Sequence, residues 1–164
     1  MQLEESAVQR CFLECEDRPV YVISVVGERR TGKSFLMNYL MRVLRSLEKT
    51  NVYNFGGENE ALNGFPWRPG PVKVTQGIWV WGKPFLLENN GQKMAVFLLD
   101  TEGTKNTTFH EPASVKLLVL TMMISSHLVY NVKTNVKKTD IDYLEIYCDP
   151  MESDPFHPFF ALKC

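Results

Sequence analysis

Apolar and polar positions alternate along the chain in a pattern that predicts strands and helices in turn. Val20 to Val26 (VYVISVV) is an almost unbroken apolar, β-branched run, the mark of a strand buried on both faces. Gly27 opens a glycine- and arginine-containing turn, and from Lys33 to Glu48 residues Leu36, Leu40, Val43, Leu44 and Leu47 recur at helical spacing. Strand, turn and amphipathic helix open an α/β unit. Ile78 to Trp81 and Met94 to Leu99 (MAVFLL) predict two more strands, near enough to pair antiparallel with Asn89 to Gly91 between them. Pro112 suits the first turn of a helix that carries Val115, Leu118, Val119 and Met122 on one face. His127 to Val132 predicts a fourth strand, and Thr139 with Asp142 gives an S/T-x-x-D/E start to a helix carrying Ile141, Leu144 and Cys148. Glu4 to Glu14 has the length of a short helix but poor apolar spacing.

Two segments break the periodicity. Phe55 to Pro71 holds four glycines and three prolines in 17 residues, a long loop of the kind that is functional or mobile. Asp149 to Cys164 places Pro150, Pro155 and Pro158 among aromatic and imidazole rings. The expected division is a lead-in over 1–19, a partial α/β domain over 20–148 and an atypical tail over 149–164.

Composition narrows the class without naming a partner. The 164 residues suit one domain with a real core, and 45% hydrophobic with 23% charged residues excludes a disordered or fibrous chain. A net charge of -1 leaves no basic footprint for nucleic acid. The N-terminus carries charge where a signal peptide needs an apolar run, and Leu117 to Tyr130 is too short and too polar for a membrane span. Cys11, Cys15, Cys148 and Cys164 lack the second pair or histidine cluster of a zinc site, so reduced thiols in a cytoplasmic protein are expected.

The chemistry is concentrated in Gly27-Glu28-Arg29-Arg30-Thr31-Gly32-Lys33-Ser34, which matches G-x-x-x-x-G-K-[ST] between a buried strand and a helix. Glycines let successive backbone N–H groups turn inward as an anion nest, and the helix start at Lys33, Ser34 and Phe35 adds its positive end. In such a loop the lysine reaches the β- and γ-phosphates and the Ser34 hydroxyl coordinates Mg²⁺. Asp100-Thr101-Glu102-Gly103 follows the strand Met94 to Leu99 directly. Its aspartate suits the Mg²⁺ site and its glycine N–H the γ-phosphate, although any acidic turn can produce D-x-x-G. On position alone Thr75, in the TQG before the second strand, is either a turn residue or the threonine that senses the γ-phosphate through Mg²⁺.

GERRTGKSFLMNYL, GFPWRPG, TQGIWVW and AVFLLDTEG, in that order, resemble the G domain of the atlastin and guanylate-binding-protein branch of the dynamin superfamily. The likeness is strongest to the atlastin-type G domains of certain RING-finger proteins and runs from about Val20 to Tyr147. It implies a P-loop NTPase fold with a mostly parallel sheet and one antiparallel strand, GTP and GDP as ligands and Mg²⁺ as cofactor. It also implies Thr75 as the switch threonine and Arg30 as an arginine finger, a catalytic set completed by Lys33. Arg29 then reads as a solvated loop residue whose backbone alone belongs to the nest.

The chain departs from that pattern in places. Thr104 stands where Ras-type enzymes have glutamine, and Lys73 where guanylate-binding proteins have a serine near the attacking water. The Arg-Asp pair that reads guanine is not found, and Tyr130-Asn131-Val132-Lys133 is only a faint echo of an N-K-x-D box. The expected G domain is therefore truncated after its fourth strand, leaving Leu128, Val129, Tyr130 and Val132 as an open edge, unless Phe156, Phe159 and Phe160 cover it. Two functions follow: a Mg²⁺-dependent GTPase, or a nucleotide-binding or regulatory fragment with little turnover and weak base selectivity. A nucleotide-dependent homodimer, or association with full-length relatives, is the partner expectation.

Overall fold

The computed structural model describes residues 9, 13–15, 17–57, 59–67, 77–103, 112–138, 140–142, 144 and 159–163. Thr75, Lys73, Thr104, Phe156 and three of the four cysteines (Cys11, Cys148 and Cys164) lie outside them, as does most of the expected N-terminal helix. Strand β1 (Val20–Gly27) leads into helix α1 (Lys33–Thr50), followed by β2 (Ile78–Val80), β3 (Phe85–Asn89) and β4 (Gln92–Thr101). Helix α2 (Pro112–Ile124), β5 (His127–Asn131) and β6 (Phe159–Lys163) complete the order. The sheet runs β2-β4-β1-β5-β6, with β3 paired to β4 beside that path.

Strands β4, β1, β5 and β6 are parallel neighbours, with Val25 opposite both Asp100 and Val129. β2 and β3 are antiparallel to β4, as the register Ile78↔Thr101 and Phe85↔Val96 shows. A single antiparallel strand was expected; β3 is the addition, and Asn90 and Gly91 close the hairpin between β3 and β4. Each face of the sheet is covered. On one, Met37, Met41 and Leu44 of α1 pack on Val25, Val96, Leu98, Val129 and Phe85. On the other, Leu118 and Met122 of α2 pack on Val26, Leu128 and Tyr130. The buried stripe of α1 centres on Met37 and Met41, while the predicted Leu36 and Leu40 are its half-buried shoulder.

One correction concerns the later chain. The expectation of an open edge at β5 fails, because Phe159–Lys163 adds in parallel, His127 opposite Phe159 and Asn131 opposite Lys163. Thr139 of the expected helix start lies outside the described residues; two positions earlier the Lys137 N–H donates to Asp140 Oδ2 at 2.8 Å. Asp140 also accepts from the Tyr130 hydroxyl at 3.0 Å, which ties the helical residues 140–142 to β5. The loop after α1 is moored to it. Asn38, 1% exposed, donates to the Phe65 carbonyl at 2.9 Å and accepts from the Phe65 N–H at 2.7 Å, and Arg42 donates to the carbonyls of Phe55, Glu60 and Ala61.

Candidate nucleotide site

The site lies at the C-terminal ends of β1 and β4, where parallel strands deliver their loops to one edge of the sheet. Gly27 ends β1 so close to β5 that a Cβ there would sit 2.2 Å from the Asn131 carbonyl oxygen. Only glycine permits that approach. From the same residue the Asn131 amide donates to the Thr31 carbonyl at 2.8 Å and to Thr31 Oγ1 at 3.2 Å, bracing the turn from below. The Thr31 hydroxyl in turn donates to the Glu28 carbonyl at 3.0 Å. Gly32 caps α1 at φ 84°, and the Leu36 N–H returns to its carbonyl at 2.9 Å. The N–H groups of Lys33, Ser34 and Phe35 therefore belong to the first turn, at the positive end of an 18-residue helix.

Lys33 is folded into this turn. Its side chain is buried, and its Nζ donates to the Glu28 carbonyl at 2.7 Å. Burial pushes its pKa down to about 8; Asp100 opposes that shift, whereas the positive charge of Arg29 adds to it. The ammonium is held in a place that favours its charge less than water does, which is the setting for an incoming anion. Ser34 Oγ donates to Asp100 Oδ2 at 2.6 Å, so two of the three residues expected at the metal site are brought together, the third, Thr75, lying outside the described residues. Asp100 is 1% exposed at the end of β4, and the neighbouring Thr101 hydroxyl fixes that strand to the Val25 carbonyl of β1 at 2.7 Å. A hydroxyl and a carboxylate are hard oxygen donors, the set that suits Mg²⁺ beside phosphate oxygens. Among the described residues no group of three or more His, Cys, Asp or Glu side chains forms a protein-only cage.

The other expected residues divide. Gly103 lies against the P-loop: a Cβ there would meet Arg29 Cα at 2.5 Å and Lys33 Nζ at 2.6 Å. Arg30 is exposed and has φ 64°, a left-handed conformation unusual for a non-glycine residue. Phe35 is 40% exposed and meets Tyr39 and Trp67 edge-to-face, each with centroids 5.1 Å away. Arg29 corrects the expectation of a solvated side chain. Its Nη2 pairs with Glu102 Oε1 at 2.9 Å and its Nε donates to the Gly103 carbonyl at 3.0 Å. Arg29, Glu102 and Asn131 thus touch the candidate site through side-chain contacts that sequence spacing did not disclose. The one available signal was Asn131, an amide at the end of a strand beside the P-loop strand.

A glycine-rich turn from a central parallel strand into a helix, with its lysine and serine facing an aspartate on the adjacent strand, defines a P-loop nucleotide-binding α/β domain. Residues 1–153 match the family described as guanylate-binding protein, N-terminal domain. The chain belongs to that family, one of large GTPases. It is 40% identical over 147 residues to RING finger protein 112 of Rattus norvegicus, covering 88% of this chain and 23% of that protein. Against RING finger protein 112 of Homo sapiens the identity is 37% with the same coverage. Atlastin-1 of Bos taurus is 36% identical over an alignment of 168 residues, 98% of this chain and 30% of that protein. The chain therefore spans less than a third of the length of these relatives.

Proposed function

We propose that this chain binds GTP with Mg²⁺ and hydrolyses its γ-phosphate. The observation that carries the reading is the convergence of Lys33, Ser34 and Asp100 at the helix end, with Ser34 and Asp100 only 2.6 Å apart. Ser34 and Asp100 are the residues that would hold Mg²⁺, which when bound neutralises charge on the β- and γ-phosphates. Lys33 exchanges the Glu28 carbonyl for phosphate oxygens and gains charge-assisted bonds in a site where water competes little. The backbone from Gly27 to Gly32 and the first turn of α1 cradle the remaining oxygens. The Gly103 N–H meets the γ-phosphate, and Thr75 takes the switch position. Arg30 supplies a guanidinium to charge that develops in the transition state. The attacking water is oriented by backbone and Arg30, since residue 104 is a threonine. No helix among the described residues is long and apolar enough to cross a membrane.

The test is competition of GTP against ATP for the purified chain, followed by steady-state phosphate release with Mg²⁺. Preferential GTP binding with phosphate release supports the GTPase. Binding of both nucleotides within about tenfold, without release, would instead identify the binding fragment, because base rejection needs partners that the phosphate cradle does not contain.

A further inference from the structure

The Glu102 carboxylate joins three parts of the site. Oε1 accepts from Arg29 of the P-loop at 2.9 Å, and Oε2 accepts from the Gly77 N–H at 3.0 Å. The Glu102 N–H itself donates to the Gly77 carbonyl at 2.7 Å, so the residue before β2 is held at both its polar groups. Arg29 grips the turn a second time through the Gly103 carbonyl at 3.0 Å. One planar guanidinium therefore spans two consecutive residues of the 100–103 turn, and its side chain is only 31% exposed against 19% for Glu102. The same turn brings Gly103 so near that a Cβ would approach Lys33 Nζ to 2.6 Å. The Arg29 side-chain contacts go to Glu102 and Gly103 and leave Lys33 and the P-loop backbone to the phosphates, whereas Gly103 is the part of the turn that a third phosphate would meet.

We propose that Arg29 is a positioning residue that presets the 100–103 turn for the γ-phosphate. By fixing Glu102 and the Gly103 peptide, it sets how strongly the site prefers a triphosphate over a diphosphate. The inference rests on the nucleotide reading above. The guanidinium is required as well as its charge, since a lysine ammonium at position 29 cannot reach two acceptors in one plane. Gly77 is carried along by the same carboxylate, so the preset extends to the entry of β2.

The experiment measures the affinities of a non-hydrolysable GTP analogue and of GDP, with Mg²⁺, for the unsubstituted chain, Arg29→Ala, Arg29→Lys, Glu102→Gln and the Arg29→Ala/Glu102→Gln double variant. The expected result is a triphosphate-to-diphosphate preference about fivefold lower in Arg29→Ala, the size of a partly exposed charged pair. Arg29→Lys restores little of it, and the double variant loses no more than the single ones, since they break one clamp. Equal losses for both nucleotides, or an unchanged preference, would make Arg29 a merely structural residue and overturn the inference while leaving the GTP site standing. Additive losses in the double variant would equally overturn it. Absence of any nucleotide binding by the unsubstituted chain would overturn the inference and the site reading together.

Discussion

Lys33 has a pKa of about 8 in the folded chain against 10.5 for an ordinary lysine, chiefly because burial penalises its charge. The folded state thus gives up this proton before the unfolded state does. Between about pH 8 and 10.5 this group's contribution to stability rises with pH, opposite to the usual behaviour of a paired lysine. Nucleotide binding has the reverse dependence. A phosphate needs the ammonium, so affinity should fall above about pH 8 by up to about tenfold per unit, with one proton taken up on binding. Calorimetry in buffers of different ionisation enthalpy reads that proton directly; a flat affinity from pH 7 to 9 would contradict it. Arg30 behaves differently, because its charge acts on the transition state. Arg30→Ala should lower turnover by about 10³-fold or more while leaving binding nearly unchanged. Alanine is the right substitution because at φ 64° it bears the same backbone cost as arginine, whereas glycine would relieve it. Equal losses in affinity and rate would remove Arg30 from the catalytic set.

Elements whose character is set locally were legible in the sequence. The run VYVISVV, the Gly27–Ser34 turn and the strand ending in DTEG declare themselves because each encodes what its own backbone must do. β3 does not, since FLLEN acquires strand character only by pairing with β4. The α1 stripe differs from the leucine spacing because Met37 and Met41, which are fully buried, form its centre. Arg29 and Glu102 lie 73 positions apart, and no local periodicity links them. Asn38 was hidden for a similar reason: its amide acts as a stand-in backbone partner for Phe65, 27 residues away. Asn38→Ala leaves both buried polar groups of Phe65 unpaired and should cost about 2–4 kcal/mol. Denaturant unfolding measures this, and a loss below about 0.5 kcal/mol would show that the mooring contributes little.

Across the whole molecule, the sheet has β1 at its centre, with the chemistry at one edge of β1 and β4 and with β6 beyond β5. β6 covers what was expected to be an exposed template of Leu128, Val129 and Tyr130. A chain ending before Phe159 should therefore melt lower and self-associate, as sedimentation and thermal melting would reveal. An unchanged monomer with an unchanged melt would mean that β6 adds nothing to the edge. The full chain should gain about 2.7 kcal/mol at a hundredfold excess of nucleotide over its dissociation constant. That linkage and every proposal about catalysis depend on the P-loop holding phosphate. The most direct test is a calorimetric titration of the chain and of Lys33→Ala with GTP and Mg²⁺. The expected result is saturable binding to the chain and affinity at least about a hundredfold weaker for the variant, the loss of its charge-assisted phosphate bonds. Equal affinity of the two proteins would contradict it.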